Sequence, residues 1–142
     1  FSEHVAHDMA KLRRKLYALL QRQTELRDII QIIGVEALQE TDRLTLEVAN
    51  IATESFLKQS AFSEVDAFNT YEKQYWMLKA IFAYMESAEA ALRRGVYIET
   101  ILDNPARGSL SRMKEMANEG FSKKASELIR DIESEFAILE EK

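Results

Sequence analysis

An all-α helical bundle, in which a long N-terminal helix runs into a helix-turn-helix hairpin, is the fold class the sequence predicts. Three observations carry it. Apolar residues recur at spacings of three and four over long stretches. The 142 residues include only 4 Gly and 1 Pro, which favours long continuous elements over turn-rich β architecture. No stretch survives as an alternating strand pattern. The chain reads as one domain, residues 1–142, long enough to bury roughly two-thirds of the surface it exposes when unfolded.

The first helix spans about His4 to Ile33. Met9, Leu12, Leu16, Leu19, Leu26, Ile30 and Ile33 form one stripe, interrupted only by Gln23, and Leu20 and Ile29 widen it. Gly34 suits the position just past its end. About 30 residues make a helix of about 45 Å. That exceeds a compact domain of this size, so part of its N-terminal half is expected to pack on something outside this chain. The second helix runs from Glu40 to Lys58, with Leu44, Val48, Ile51, Ala52 and Phe56 inward and Thr41 or Asp42 as its N-cap.

Gln59 to Asn69 shows no long helical pattern and reads as a structured loop carrying Phe62 and Phe68. Thr70 is then expected to cap a third helix, Tyr71 to Arg94. Its two stripes are Tyr75, Leu78, Phe82, Met85, Leu92 and Ile81, Tyr84, Ala88, Ala91. Apolar on two faces, it is expected to be the most buried helix. Arg93 and Arg94 suit its C-terminal dipole and Gly95 ends it. Short helices are expected at Ile98–Asp103 and Ser109–Ala117. A last helix, capped by Ser122, turns Leu128, Ile132, Phe136 and Leu139 inward.

Several function classes find little support in the residues. With 19 basic and 24 acidic residues the net charge is -5, and the one basic cluster, Lys11, Arg13, Arg14 and Lys15, reads as a solvated helix face. Nucleic acid is not an expected partner. No apolar run approaches the roughly 20 residues a membrane-spanning helix needs, so no direct membrane insertion is expected. The four glycines lack the spacing of a phosphate-binding loop. There is no cysteine, and His4 and His7 are the only histidines, neither in a Glu-x-x-His pair. No catalytic residue and no metal ligand is assigned, and the pairs Glu64/Asp66 and Asp131/Glu133 read as solvated charges. The tip with Glu36, Glu40 and Asp42 on a rigid hairpin offers an acidic surface to a basic partner. On these grounds alone, a free-standing helical adaptor for other proteins remains an open reading.

One long run is more specific: LQRQTELRDIIQIIGVEALQETDRLTLEVANIATESFLKQSAFSEVDAFNTYEKQYWMLKAI, residues 20–81. It resembles the C-terminal helical domain of the catalytic A subunit of archaeal-type (A/V-type) ATP synthases. The matching positions are Arg43, Leu44, Leu46, Glu47, Val48 and Ala49, then Phe56, Leu57, Gln59, Ala61, Phe62, Glu64, Val65 and Asp66. They continue through Glu72, Lys73, Gln74, Tyr75, Met77, Leu78 and Lys79. Ser60 and Gln39 stand where the family commonly has Asn and Pro, and Asn69-Thr70-Tyr71 departs locally.

The resemblance implies that the chain is the tail of a larger catalytic subunit, whose nucleotide-binding domain lies outside it and holds ATP or ADP with Mg. The chain itself is expected to hold no cofactor and to be inactive alone. Expected partners are the central rotor stalk, the neighbouring B (non-catalytic) subunits and the rest of the A subunit, on the cytoplasmic side of a membrane-bound, proton-translocating complex. In the related F-type subunit the same hairpin carries an acidic lever, DELSEED, that contacts the rotor. By register that lever falls on Glu36, Ala37, Leu38, Gln39, Glu40, Thr41 and Asp42, with Ala37 and Thr41 departing from it. The resemblance also implies a contribution of Phe62 and Phe68 to the adenine pocket.

Overall fold

The computed structural model describes residues 3–62, 67–105, 108, 110 and 121–139. Among them every regular element is helical: α1 (Glu3–Ile33), a 3-10 turn (Val35–Ala37), α2 (Glu40–Phe62), α3 (Ala67–Arg93), α4 (Ile98–Leu102) and α5 (Phe121–Ala137). The 31 residues of α1 make a rod of about 46 Å at 1.5 Å per residue.

The third helix is central, touching α1, α2, α4 and α5. Of its two stripes, Tyr75, Leu78, Phe82, Ile81, Tyr84, Ala88 and Ala91 are buried, and so are Met77 and Ala80 between them. Small residues at Ala80, Ala88 and Ala91 let neighbouring helices approach while Tyr84 and Phe136 of α5 meet edge to face, centroids 5.3 Å apart. From α1 come Met9, Leu12 and Leu19, from α2 Leu44, Val48, Ala49, Ile51 and Ala52, and from α5 Ala125, Leu128 and Ile132.

Where α3 ends, Gly95 takes φ 96°, Val96 N–H reaches the Ala91 carbonyl at 3.0 Å and Gly95 N–H that of Leu92 at 3.0 Å. This paired 6→1 and 5→2 pattern closes the helix and turns the chain into α4. Arg94 does not serve its own helix. Its guanidinium donates to the carbonyl of Phe136 in the last turn of α5 (2.9 Å) and to that of Leu139 just beyond it (3.2 Å).

Several expected boundaries move. The expected loop does not hold at 59–62, where α2 continues to Phe62 because Gln59, Ser60, Ala61 and Phe62 include neither glycine nor proline, nor at 67–69, where α3 has begun; residues 63–66 of it lie outside the described residues. Thr70 therefore lies inside α3. At the start of α2 the Gln39 carbonyl takes the first intrahelical bond, from Arg43 N–H at 2.9 Å, so Gln39 is the cap and Thr41 and Asp42 lie within the first turn. The last helix begins at Phe121, placing Ser122 inside it. The short helix expected at Ser109–Ala117 falls outside the described residues except at 110, where Leu110 is buried.

Across the α1–α3 seam, the Tyr75 hydroxyl donates to Asp8 at 2.8 Å, with the Lys79 ammonium 3.8 Å from the same carboxylate. Burial, then the Asp8 contact, pushes the phenol up to about 12. The neutral phenol is thus favoured in the folded chain, so this contribution is complete below the ordinary value near 10 and fades as pH rises toward 12. Alkaline absorbance titration should show a late phenolate from Tyr75, and Tyr75→Phe should remove that contribution.

Candidate functional site

The α1–α2 connection projects the residues assigned to partner contact, and its shape follows from Gly34. Its N–H closes α1 by bonding the Ile30 carbonyl at 2.8 Å, while φ 83° and ψ 157° place its backbone where essentially only glycine goes. No atom lies within 4 Å of where a Cβ would stand, so the demand for glycine here is conformational and not a matter of space. Val35–Ala37 then make one 3-10 turn, with Leu38 N–H on the Val35 carbonyl at 3.2 Å, and Leu38 leaves extended toward α2.

The apolar stripe of α1 does not stay covered to its end. Met9, Leu12, Leu19 and Leu26 are buried, and Leu16 packs against the core. Ile30 is half-buried, and Ile33, expected in the core, is 52% exposed. Ile32 is 84% exposed and Val35 is 45% exposed. The physical reason lies in the run Asp28-Ile29-Ile30-Gln31-Ile32-Ile33. Its isoleucines occupy two faces of the helix, and α2 covers only one. The tip is therefore an apolar knuckle.

Of the seven residues aligned with the acidic lever, Glu36, Ala37, Gln39 and Thr41 are exposed and Leu38 is half-buried. Two of its three acids turn inward. The Glu40 carboxylate accepts the backbone N–H of Ile98 at 2.9 Å, capping the first turn of α4, where Tyr97 supplies no side-chain cap. Arg43, three residues on, donates to Glu99 of α4 at 3.1 Å. Asp42 accepts from Arg22 of α1 at 3.2 Å, and Glu25 accepts from the same guanidinium at 2.9 Å. Glu25 first and Asp42 second hold the Arg22 pKa above its ordinary value. Glu36 alone of the three faces solvent at the tip without an ion pair among the described residues. No spacing rule in the sequence marks Glu40 as the cap of a helix that starts 58 residues later.

The two aromatics assigned to an adenine pocket sit close together in the chain. Phe62 closes α2 and Phe68 is the second residue of α3. Their side chains lie outside the described residues. Among the described residues no three His, Cys, Asp or Glu side chains gather as a metal site, and no helix is long and apolar enough to cross a membrane.

Residues 1–102 match the family described as the C-terminal domain of V and A type ATP synthase. Among similar proteins, the second A-type ATP synthase A subunit of Methanospirillum hungatei is 42% identical over 129 residues, covering 91% of this chain and 22% of that protein. The A-type ATP synthase A subunit of Methanopyrus kandleri is 41% identical, covering 94% of this chain and 23% of its own length. The V-type ATP synthase alpha chain 1 of Clostridium tetani is likewise 41% identical, covering 93% and 23%. The chain thus spans less than a quarter of the length of these relatives.

The unequal roles of the tip acids are directly testable. Glu40→Ala should lower unfolding stability by about 0.5–2 kcal/mol, the usual loss for a helix cap. Glu36→Ala should stay within about 0.5 kcal/mol of the parent chain, as at other exposed positions. Urea unfolding followed by circular dichroism reads both.

Proposed function

The chain belongs to the family of C-terminal domains of V and A type ATP synthases, and on that premise we propose that it carries motion from the nucleotide-binding part of the A subunit to a central rotor stalk. The observation that supports this reading best is the combination of a fixed base and a bare tip. The base is held by the buried α1 and α2 stripes, by Arg22–Asp42 and by the clamp of Glu40 and Arg43 on α4. The tip presents Ile32, Ile33, Val35 and Glu36 to whatever lies beyond it.

In this reading residues 34–43 bear on the stalk mainly by shape and apolar contact. Glu36 supplies the outward charge, while Glu40 and Asp42 keep the hairpin in position. A rigid segment displaced at its root moves its tip, whereas one whose root melts absorbs the displacement. Burial of Leu26 and Leu44 at the root serves that stiffness.

Nucleotide chemistry is assigned to the remainder of the parent subunit, which binds ATP or ADP with Mg and hydrolyses or makes ATP. This chain alone is inactive. Phe62 and Phe68, at the α2–α3 junction, are proposed to flank the adenine ring. The neighbouring B subunits and the rest of the A subunit surround the domain, which sits on the cytoplasmic side as a peripheral part of a proton-translocating membrane complex.

The decisive experiment changes the tip without touching the core. Replacing Leu26 would confound coupling with unfolding, since it is fully buried, but Ile32 and Ile33 are exposed. In the intact complex, Ile32→Asp with Ile33→Asp should leave ATP hydrolysis running while hydrolysis-driven proton pumping falls to a minor fraction. Full pumping per ATP in that variant would sink the proposal.

A further inference from the structure

The α1 stripe holds a polar residue at a core position, and its partners form a directional set. Gln23 is 6% exposed, at the step between Leu19 and Leu26. Its Nε2 donates to Asn50 Oδ1 of α2 at 2.8 Å. Arg27 Nη2 donates to the same oxygen at 3.3 Å. A guanidinium has donors only, so the Asn50 atom facing it must be the carbonyl oxygen. That obliges Gln23 to present its NH2 group to Asn50 and to turn its own carbonyl toward Thr53, whose Oγ1 lies at 3.4 Å. The single Thr53 hydroxyl proton also faces the Ala49 carbonyl at 2.9 Å, which leaves the bond to Gln23 as the weaker branch.

We infer that Gln23 and Asn50, keyed by Arg27, form an alignment lock that fixes where α2 crosses α1. The inference stands independently of any contact with a rotor. Stability alone does not call for this pair. Replacing both members of a buried amide pair by apolar groups of similar size is often neutral or stabilising, and leucine at 23 would simply continue the stripe.

What the leucines cannot do is distinguish one alignment from the next. Sliding α1 by about one turn, 5.4 Å, exchanges apolar for apolar at the other stripe positions, such as Leu16 for Leu12 or Ile30 for Leu26, and only at 23 does a leucine meet the polar partners. The connection does not forbid the slide, because the last turn of α1 carries exposed Ile32 and Ile33 and can rewind without loss of core packing. The polar set does forbid it. A slide carries Gln23 among apolar side chains and parts both amides from their partners. A single buried amide at a core position of paired helices is a known means of setting register at some cost in stability.

The test reads alignment directly. The chain has no cysteine, so Thr24→Cys and Thr41→Cys, both exposed, can carry spin labels for a pulsed dipolar distance measurement in the full chain. The parent sequence should give one narrow distribution. Gln23→Leu with Asn50→Leu should add a second population displaced by about 5 Å, with an equal or higher melting temperature. Asn50→Asp retains the acceptor oxygen and should keep the single narrow distribution. An unchanged distribution in the double-leucine variant would overturn the lock. A double-leucine variant that fails to fold would overturn it as well, by showing the pair to be an ordinary stabilising contact. Broadening in Asn50→Asp would do the same, since the acceptor would then not be what aligns the helices.

Discussion

Everything in this domain depends on α3 being covered on both sides. A helix with two apolar stripes has no solvent face wide enough to stand at a surface, so other helices must enclose it. The first two helices supply one wall and α5 another, and the alanines at 80, 88 and 91 set how closely they come. The ends of the wall are tied by directed polar contacts. Arg94 spans from the end of α3 to the last carbonyls of α5, and Glu40 spans from the start of α2 to the first N–H of α4. Both contacts meet polar backbone groups at or next to a helix terminus, where intrahelical partners run out. The apolar wall holds the bundle together, and the termini fix how the helices stop against one another.

The hairpin inherits its properties from that arrangement. The stripe of α1 from Met9 to Leu26 is held by the core, Ile29 and Ile30 are half-buried, and from Gln31 onward the helix is exposed. The same rod is therefore anchored for most of its length and bare at one end. The glycine at 34 makes the transition abrupt. Its backbone conformation is nearly closed to other residues, and from it the chain passes through one 3-10 turn and extended Leu38 into α2.

Much of this was legible in the sequence, and the rest failed for identifiable reasons. The two stripes of α3, the stops at Gly34 and Gly95 and the short helix before Pro105 follow from periodicity and backbone freedom, both local properties. The family resemblance, carried by residues such as Arg43, Leu44 and Glu72 to Lys79, also proved right, as the match over residues 1–102 shows. Periodicity says which residues share a face but not how far a neighbour extends along it. Ile33 continues the stripe and yet is exposed, because α2 does not follow it there. Gln23 reads as an interruption and is instead buried, satisfied by Asn50 from 27 residues away. The loop expected at 59–69 rests on weak patterning, and the absence of a helix breaker decides the matter for 59–62.

The acidic residues of the tip show why a sequence motif and a contact surface can part company. Three carboxylates within seven positions read as one electrostatic feature, yet they face three different surroundings. Glu40 directs its charge at a helix N-terminus, where a carboxylate is favoured both by the hydrogen bond and by the dipole. Asp42 is paired with Arg22. A partner approaching the tip meets the field of Glu36 together with two isoleucines and a valine. An exposed ion pair is worth little and is screened by salt, whereas apolar contact is non-directional and not weakened by ionic screening. A surface that must press on a partner through changing relative orientations gains from the second kind of interaction, because it stays favourable without a fixed donor-acceptor geometry. Under the proposed function, acids that anchor and isoleucines that touch would be two parts of one mechanical arrangement, and departures at Ala37 and Thr41 would cost such a surface nothing.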